Sequence, residues 1–288
     1  MMKYLLEALA YLPEPVKTCI LRHPQAKHVE ELRLRRGQPV TCTVRGVEIP
    51  FPVQAGEELM QVMIDRATER SPHAVMNMLC EGYLILPGGH RMGICGTGVY
   101  REGKLRTMRD ISSLSIRVAR EIHGVADGAV GEVMTRGSSV LCIGPPGCGK
   151  TTFLRDLIRQ LGSLYHQRIA VVDERRELGA CIGGVPQFDL GPSTDILSSV
   201  GKAEGIEMLL RSMSPQWIAL DEITAMRDVR AMVQASYCGV RFLATAHAES
   251  FEDLKARPVY QSLLREKVFR LLLCLNREKE LLPMELSA

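Results

Sequence analysis

The fold is decided by the stretch Gly144-Pro145-Pro146-Gly147-Cys148-Gly149-Lys150-Thr151. It fits the pattern G-x-x-x-x-G-K-[ST], in which glycines let successive backbone N–H groups curl around a phosphate. The short apolar run at residues 139–143 is typical of a buried strand, and residues 152–158 place apolar side chains at helical spacing. The sequence therefore predicts a strand, a phosphate-binding (Walker A) loop and a helix, in this order.

Each residue type in this loop has a defined task toward a nucleotide. The helix N-terminus adds the positive end of its dipole, and Lys150 is expected to reach the β- and γ-phosphates. The Thr151 hydroxyl is expected to ligate Mg²⁺. The whole loop, together with Thr152 at the start of the helix, is predicted to bind nucleotide, and ATP with Mg²⁺ is the expected ligand.

Two acidic residues, Asp221 and Glu222, follow the apolar run at residues 217–220. An apolar strand that ends in Asp is the Walker B arrangement, in which the carboxylate holds Mg²⁺. Glu222 is the candidate to orient or deprotonate the attacking water, the alternative being that it caps the next helix. His247 follows another predicted strand and would sense the γ-phosphate, unless it is a capping or packing histidine.

A second acidic group follows the apolar run at residues 168–173. Asp173, Glu174 and Glu177 would either position water or Mg²⁺, or pair with Arg175 and Arg176. Phosphoryl transfer also gains from an arginine over the γ-phosphate, commonly supplied by a neighbouring subunit. The candidates are Arg91, Arg109, Arg117, Arg120, Arg211 and Arg257.

Composition sets the class of protein. The 288 residues suffice for two domains, and a formal charge of +3 is too small to imply a nucleic-acid partner. Nine scattered cysteines without a C-x-x-C pair argue for a reducing compartment and against a zinc site or disulfide framework. No apolar run approaches the length that spans a bilayer.

The pattern of elements changes along the chain. Residues 1–124 mix strands and helices and predict a small α+β domain, with a hairpin over residues 29–44 and a solvated basic loop over residues 103–113. Residues 125–288 alternate continuous apolar runs with helical patterns. They predict an α/β domain with a mostly parallel sheet of five strands, interrupted by an irregular glycine-rich stretch at residues 179–191.

Several further blocks resemble one family closely, the stage III sporulation protein AA family. These blocks are Glu31-Leu32-Arg33-Leu34-Arg35, Gly88-Gly89-His90-Arg91, Asp173-Glu174-Arg175, Lys202-Ala203-Glu204-Gly205, Arg211-Ser212-Met213-Ser214-Pro215, Asp221-Glu222-Ile223, Thr245-Ala246-His247 and Arg257-Pro258. More distantly, the chain is similar to the ATPases that power type II and type IV secretion and pilus retraction. In that comparison Asp173, Glu174 and Glu177 fall in an acidic box and His247 in a histidine box.

This resemblance implies a RecA-like P-loop ATPase core behind a small N-terminal domain, and a hexameric ring. It also implies membrane-embedded partners from the same sporulation operon, which build the channel between mother cell and forespore, and a cytoplasmic place on the mother-cell side. Two positions depart from the related patterns. Asp221 stands where secretion ATPases usually have Gly, and Ser193 stands where the sporulation family tends to have Arg, so no arginine role is carried to that position.

The sequence thus predicts an ATP-hydrolysing motor or assembly ATPase of a secretion-like channel. Two other functions stay open at this point. One is a RecA-type nucleic-acid motor, which would show nucleic-acid-stimulated turnover and a steep salt dependence. The other is a nucleotide-gated scaffold with negligible turnover. A small-molecule kinase is disfavoured because the first domain shows no acceptor site.

Overall fold

The computed structural model describes residues 2–278 and 280–285. The chain divides into two compact units, residues 1–120 and residues 121–288. Among the described residues, no helix is both long and apolar enough to cross a bilayer.

The first unit combines helices with an antiparallel sheet. Its helices are α1 (Met2–Ala8), α2 (Glu14–Leu21), α3 (Glu57–Ala67) and α4 (Pro72–Glu81). Its strands are β1 (Val29–Arg35), β2 (Pro39–Val44), β3 (Val47–Gln54), β4 (Tyr83–Leu86), β5 (His90–Arg101) and β6 (Lys104–Arg117), in the order β3-β2-β1-β6-β5-β4. Buried and less buried residues alternate along β2, as expected where one face of a sheet covers a core.

One prediction for this unit needs correction, and a second is confirmed and extended. The basic run Lys104–Arg109 is not a solvated loop, because it opens β6, which pairs with β5 along a long hairpin. Pairing with a neighbouring strand decides its conformation, and its polar side chains lie on the exposed side. The predicted hairpin over residues 29–44 is continued by a third strand, β3. Its Pro50 and Pro52 are tolerated because β3 lies at the sheet edge.

The second unit is an α/β unit with a mixed sheet. Its helices are α5 (Asp127–Arg136), α6 (Lys150–Leu164), α7 (Lys202–Ser212), α8 (Met226–Tyr237), α9 (Phe251–Ala256) and α10 (Pro258–Arg265). Its strands are β7 (Val140–Gly144), β8 (Ile169–Asp173), β9 (Thr194–Ser198), β10 (Trp217–Leu220), β11 (Arg241–His247), β12 (Leu271–Leu275) and β13 (Leu281–Glu285), in the order β13-β12-β7-β11-β10-β8-β9. All neighbouring pairs are parallel except β12 with β13.

The central strands contribute buried side chains to both faces of the sheet. Every residue of β7, β8 and β10 is buried. Along β7, Leu141 and Ile143 enter one cluster of buried side chains, whereas Val140 and Cys142 enter another. The sheet is therefore covered on both sides. The five predicted strands are present, and β9 and β13 at the two edges are additional.

Parallel pairing brings the carboxyl ends of the central strands to one edge of the sheet. His247, at the end of β11, is the register partner of Gly144 at the end of β7. Leu220 of β10 pairs with Ala244 of β11 and with Val172 of β8. The residues that follow these strand ends consequently meet at this edge. They are the predicted loop, the acidic residues 173–174 and 221–222, and His247.

Candidate functional site

The loop at residues 144–151 joins the end of β7 to the start of α6. Gly144 has no room for a side chain, because a Cβ there would lie 2.3 Å from the Leu275 carbonyl oxygen. Gly149 has a φ of +107° and precedes the first residue of α6. This left-handed turn is open to glycine and aims the N-terminus of α6 at the space inside the loop. Such a loop at a helix N-terminus is an anion site.

Lys150 is turned back onto its own loop. Its side chain is buried, and its Nζ donates to the Gly144 and Pro145 carbonyl oxygens, each at 2.8 Å. The same Nζ lies 3.1 Å from His247 Nδ1. An ammonium group can only donate hydrogen bonds, so His247 Nδ1 is the acceptor. The ring proton of a neutral His247 is then on Nε2. The ammonium is therefore bonded both to the loop itself and to His247 at the end of β11.

Asp221 is held by two hydroxyl groups. Thr151 Oγ1 donates to Asp221 Oδ2 at 2.9 Å, and Thr245 Oγ1 donates to Oδ1. Burial raises the pKa of Asp221, and both hydroxyl hydrogen bonds oppose this rise while the nearby Glu222 adds to it. A desolvated carboxylate next to a threonine hydroxyl offers the oxygen ligands that Mg²⁺ prefers. The donor set at Thr151 and Asp221 thus fits the predicted metal.

The Glu222 carboxylate contacts the side chains of a histidine and an arginine. Its Oε1 is 2.5 Å from His247 Nε2, and its Oε2 accepts from Arg175 Nη1 at 2.7 Å. Its backbone has a φ of 48°, and its N–H donates to Thr245 Oγ1 at 2.9 Å. The turn is fixed further by the Tyr260 hydroxyl, which donates to the Ile223 carbonyl at 2.8 Å. Side chains from two other stretches of the chain therefore hold the turn at residues 222–223.

The acidic segment after β8 divides into two roles. Each carboxylate oxygen of Asp173 accepts from two backbone amides, which belong to Glu177, Leu178, Gly179 and Ala180. Asp173 therefore anchors the loop that follows it, and contact with a nucleotide would require it to give up these bonds. Glu174 instead forms an ion pair with the buried Lys202. Glu174, Asp221 and Glu222 line the same small cavity.

Two of the arginine candidates, Arg211 and Arg257, belong to the second unit. Arg257 pairs with Asp253 at 2.9 Å, and Arg211 lies exposed on α7. The other four candidates belong to the first unit, where Arg120 donates to the Lys27 and Val29 carbonyls.

Two arginines near the site were missed. Arg155 lies four residues after Thr151 on α6, and this helical spacing was the available signal. Its guanidinium stacks 4.1 Å over the Phe188 ring. Burial lowers the pKa of Arg155, and the charges of Asp221 and Asp173 oppose this. Arg277, just beyond β12, lines an open groove with residues 145–148 of the loop.

Comparison with known proteins places the chain in a family. The family model described as "Sporulation stage III, protein AA" matches residues 12–285. The chain belongs to this family. It is also 34% identical over 280 residues to stage III sporulation protein AA of Bacillus subtilis (strain 168), and the match covers 95% of this chain and 91% of that protein. The family resemblance predicted from the sequence blocks is thus confirmed.

Solved structures with a similar fold extend the comparison of this family member. The ATPase DotB of Legionella pneumophila matches with a TM-score of 0.59 at 16% identity, covering 92% of this chain and 78% of DotB. The pilus retraction motor PilT, solved with bound ADP, matches with a TM-score of 0.60 at 14% identity, covering 91% of this chain and 76% of PilT. At these identities the likeness concerns the fold alone, an α/β architecture shared with ATPases.

Proposed function

We propose that this protein binds and hydrolyses ATP as a motor or assembly ATPase of a secretion-like membrane channel complex in endospore formation. The observation that carries this proposal is one connected set of hydrogen bonds. It runs from Lys150 through His247 to Glu222, and from the Glu222 backbone through Thr245 and Asp221 to Thr151. Residues from three separate stretches of chain are joined as a nucleotide-hydrolysing site requires. Family membership and the ATPase-like fold support the same proposal.

The loop residues bind the phosphates in this account. Backbone N–H groups of residues 147–151 face the phosphate oxygens, and Lys150 exchanges its carbonyl partners for the β- and γ-phosphates. Thr151 and Asp221 would hold Mg²⁺, which would neutralise charge on the phosphate oxygens.

Glu222 is the residue proposed to act on water. It accepts the proton of a water whose oxygen bonds to the terminal phosphorus, while the bond to the bridging oxygen of ADP breaks. His247 contacts both Glu222 and Lys150. A shift of Lys150 on phosphate binding would therefore be passed through the His247 imidazole to Glu222, the residue proposed to act on water. This is the physical basis for a γ-phosphate sensor.

The same proposal covers the larger assembly. Residues 125–288 would be a RecA-like ATPase core and residues 1–124 an N-terminal domain. The protein would form a ring, hexameric by analogy, in which a neighbour supplies an arginine. Its partners would be membrane proteins of the sporulation channel, with this protein on the cytoplasmic, mother-cell side. This account expects no stable complex with nucleic acid.

Glu222→Gln tests the proposal. The substitution keeps the shape and one acceptor oxygen but removes the base, so we expect turnover to fall by about a hundredfold or more. Affinity for ATP should stay within about twofold of the wild type, because Glu222 is not a phosphate ligand in this account. Turnover is measured as phosphate release and affinity by calorimetry, with the exposed Glu252→Gln as a matched control.

Each alternative function gives its own result. Unchanged turnover in Glu222→Gln would favour a nucleotide-gated scaffold over an ATPase. Stimulation of wild-type turnover by DNA or RNA, with binding that weakens steeply as salt rises, would favour a nucleic-acid motor.

A further inference from the structure

A small cavity lies at the carboxyl ends of β8 and β10. Its volume is about 10 Å³, roughly the room that one water molecule needs. Glu174, Asp221, Glu222 and Lys202 are among its lining residues. Asp221 is engaged by two hydroxyls. Glu174 and Glu222 also present carboxylates that can hold a water here, and Arg175 and Glu177 border the same cavity.

Lys202 is in an unusual place for a cation. Its side chain is only 3% exposed, and it is the first residue of α7, at the positive end of the helix dipole. Burial and the dipole both disfavour an ammonium there, so acidic partners must compensate. Glu174 supplies one through a direct ion pair, and the buried Asp228 of α8 supplies a second negative charge nearby.

Contacts other than the Lys202 side chain also hold α7 in place. Gly205 packs directly on Val172 of β8, where an added Cβ would lie 2.5 Å from Val172 Cγ1. Asp228 accepts a hydrogen bond from the Ala203 backbone and so ties the start of α7 to α8. Two other contacts therefore also hold the helix, so the Lys202 ion pair is not its only anchor.

Glu174 is the residue whose position does depend on this ion pair. Its side chain is 32% exposed, so it can turn to solvent as well as to the cavity. The neighbouring Asp173 is fixed by four backbone amides, which set where Glu174 begins. The buried ammonium of Lys202 then decides on which side the Glu174 carboxylate settles.

We propose that Lys202 is a positioning residue that keeps Glu174 turned into the cavity, where Glu174 and Glu222 together hold the attacking water. This inference rests on the proposed ATPase function and adds two residues to it. Glu174 contacts the water, and Lys202 acts only through Glu174. Neither residue contacts phosphate in this arrangement, so both affect turnover rather than nucleotide binding.

The test is a double-mutant cycle with Lys202→Met and Glu174→Gln. Each single substitution is expected to lower kcat by about tenfold, because a misplaced water loses its alignment with the terminal phosphate. Affinity for ATP should change by less than about twofold. The double variant should be no slower than Glu174→Gln alone, since Lys202 has nothing left to position. Lys202→Arg, which keeps the cation, should restore most of the activity, and exposed Lys255→Met is the control.

Three results would overturn this role for Lys202: an unchanged kcat in Lys202→Met, a further tenfold loss in the double variant, or a matching loss of ATP affinity. If Lys202→Met alone fails to fold because Glu174 is left without its partner, the double variant compared with Glu174→Gln still decides. Failure of the ATPase proposal has a different signature, namely wild-type turnover that is absent or insensitive to Lys150→Ala.

Discussion

Glu222 shows how the residues of this site are held before any ligand arrives. Its left-handed backbone, with a φ of 48°, is fixed through Thr245, while its carboxylate contacts His247 and Arg175. Lys150 and Thr151 are likewise bonded to protein groups. In the proposed function, ATP would exchange these bonds for its own, so its measured affinity would report the difference between two sets of contacts.

A buried histidine in the first unit predicts a dependence of stability on pH. His90 is fully buried, and its Nδ1 accepts from the Ala119 N–H at 3.0 Å. Glu7 Oε2 lies 3.7 Å from its Nε2, and burial lowers the pKa of His90 to about 4. An unfolded histidine titrates near pH ~6.5, so between these values only the unfolded chain takes up the proton. The first unit should therefore lose stability as pH falls from about 6.5 to 4, by about 3 kcal/mol at most.

Hydrogen exchange measures this loss. Protection factors for β1 and β6, which correct for the intrinsic pH dependence of exchange, should fall across the window. In His90→Asn the side-chain oxygen can still accept from Ala119, but no proton is taken up, so the slope should flatten. An equal slope in both proteins would show that other groups cause the pH dependence.

The sequence revealed some residues of the site more readily than others. Lys150, Thr151, Asp221 and Glu222 stand in short motifs next to apolar strands, so their chemistry could be predicted from spacing. Lys202 could not be assigned a role in this way. Its partner Glu174 lies 28 residues earlier in the sequence. The burial of the Lys202 ammonium becomes evident only once α7 is packed on β8.

At the scale of elements, central and edge strands differ in how well they could be predicted. The strands β7, β8 and β10 are buried on both faces and are therefore continuous apolar runs. The edge strands β3, β9 and β13 were missed, because one side of an edge strand has no partner and its sequence is free to carry proline or polar residues. The polar β6 was missed for a related reason, since only two of its fourteen residues, Leu114 and Ile116, are fully buried.

The contact between α7 and β8 gives a prediction about stability. Gly205→Ala would bring a methyl group to 2.5 Å from Val172 Cγ1, and we expect a loss of about 1–3 kcal/mol from overpacking. Gly131→Ala is the matched control on α5, where no atom lies within 4 Å of the added Cβ. That substitution should stabilise the unit by about 0.5–1 kcal/mol through helix propensity.

Thermal unfolding separates these two outcomes. The buried Trp217 of β10 is the single tryptophan of the chain, so its fluorescence follows the second unit. Gly205→Ala should melt below the wild type and Gly131→Ala above it. Equal melting temperatures for the two variants would mean that Val172 gives way at little cost.

At the scale of the whole molecule, the proposed chemistry belongs to one unit. All residues of the proposed site lie within residues 121–288: the loop at residues 144–151, the acidic residues 173–174 and 221–222, His247 and Lys202. The first unit has its own core, built from its helices and the antiparallel sheet. The family match spans both units, and the proposed ring and membrane partners would be properties of the assembled protein.

The central claim is that residues 144–151 bind the phosphates of a nucleoside triphosphate. Calorimetric titration of Lys150→Ala with ATP and Mg²⁺ tests this claim most directly. Removing the ammonium should weaken binding by about tenfold or more, as expected when a charged hydrogen-bond donor to phosphate is lost. The exposed Lys255→Ala serves as control and should bind like the wild type. Wild-type affinity in Lys150→Ala would contradict the account.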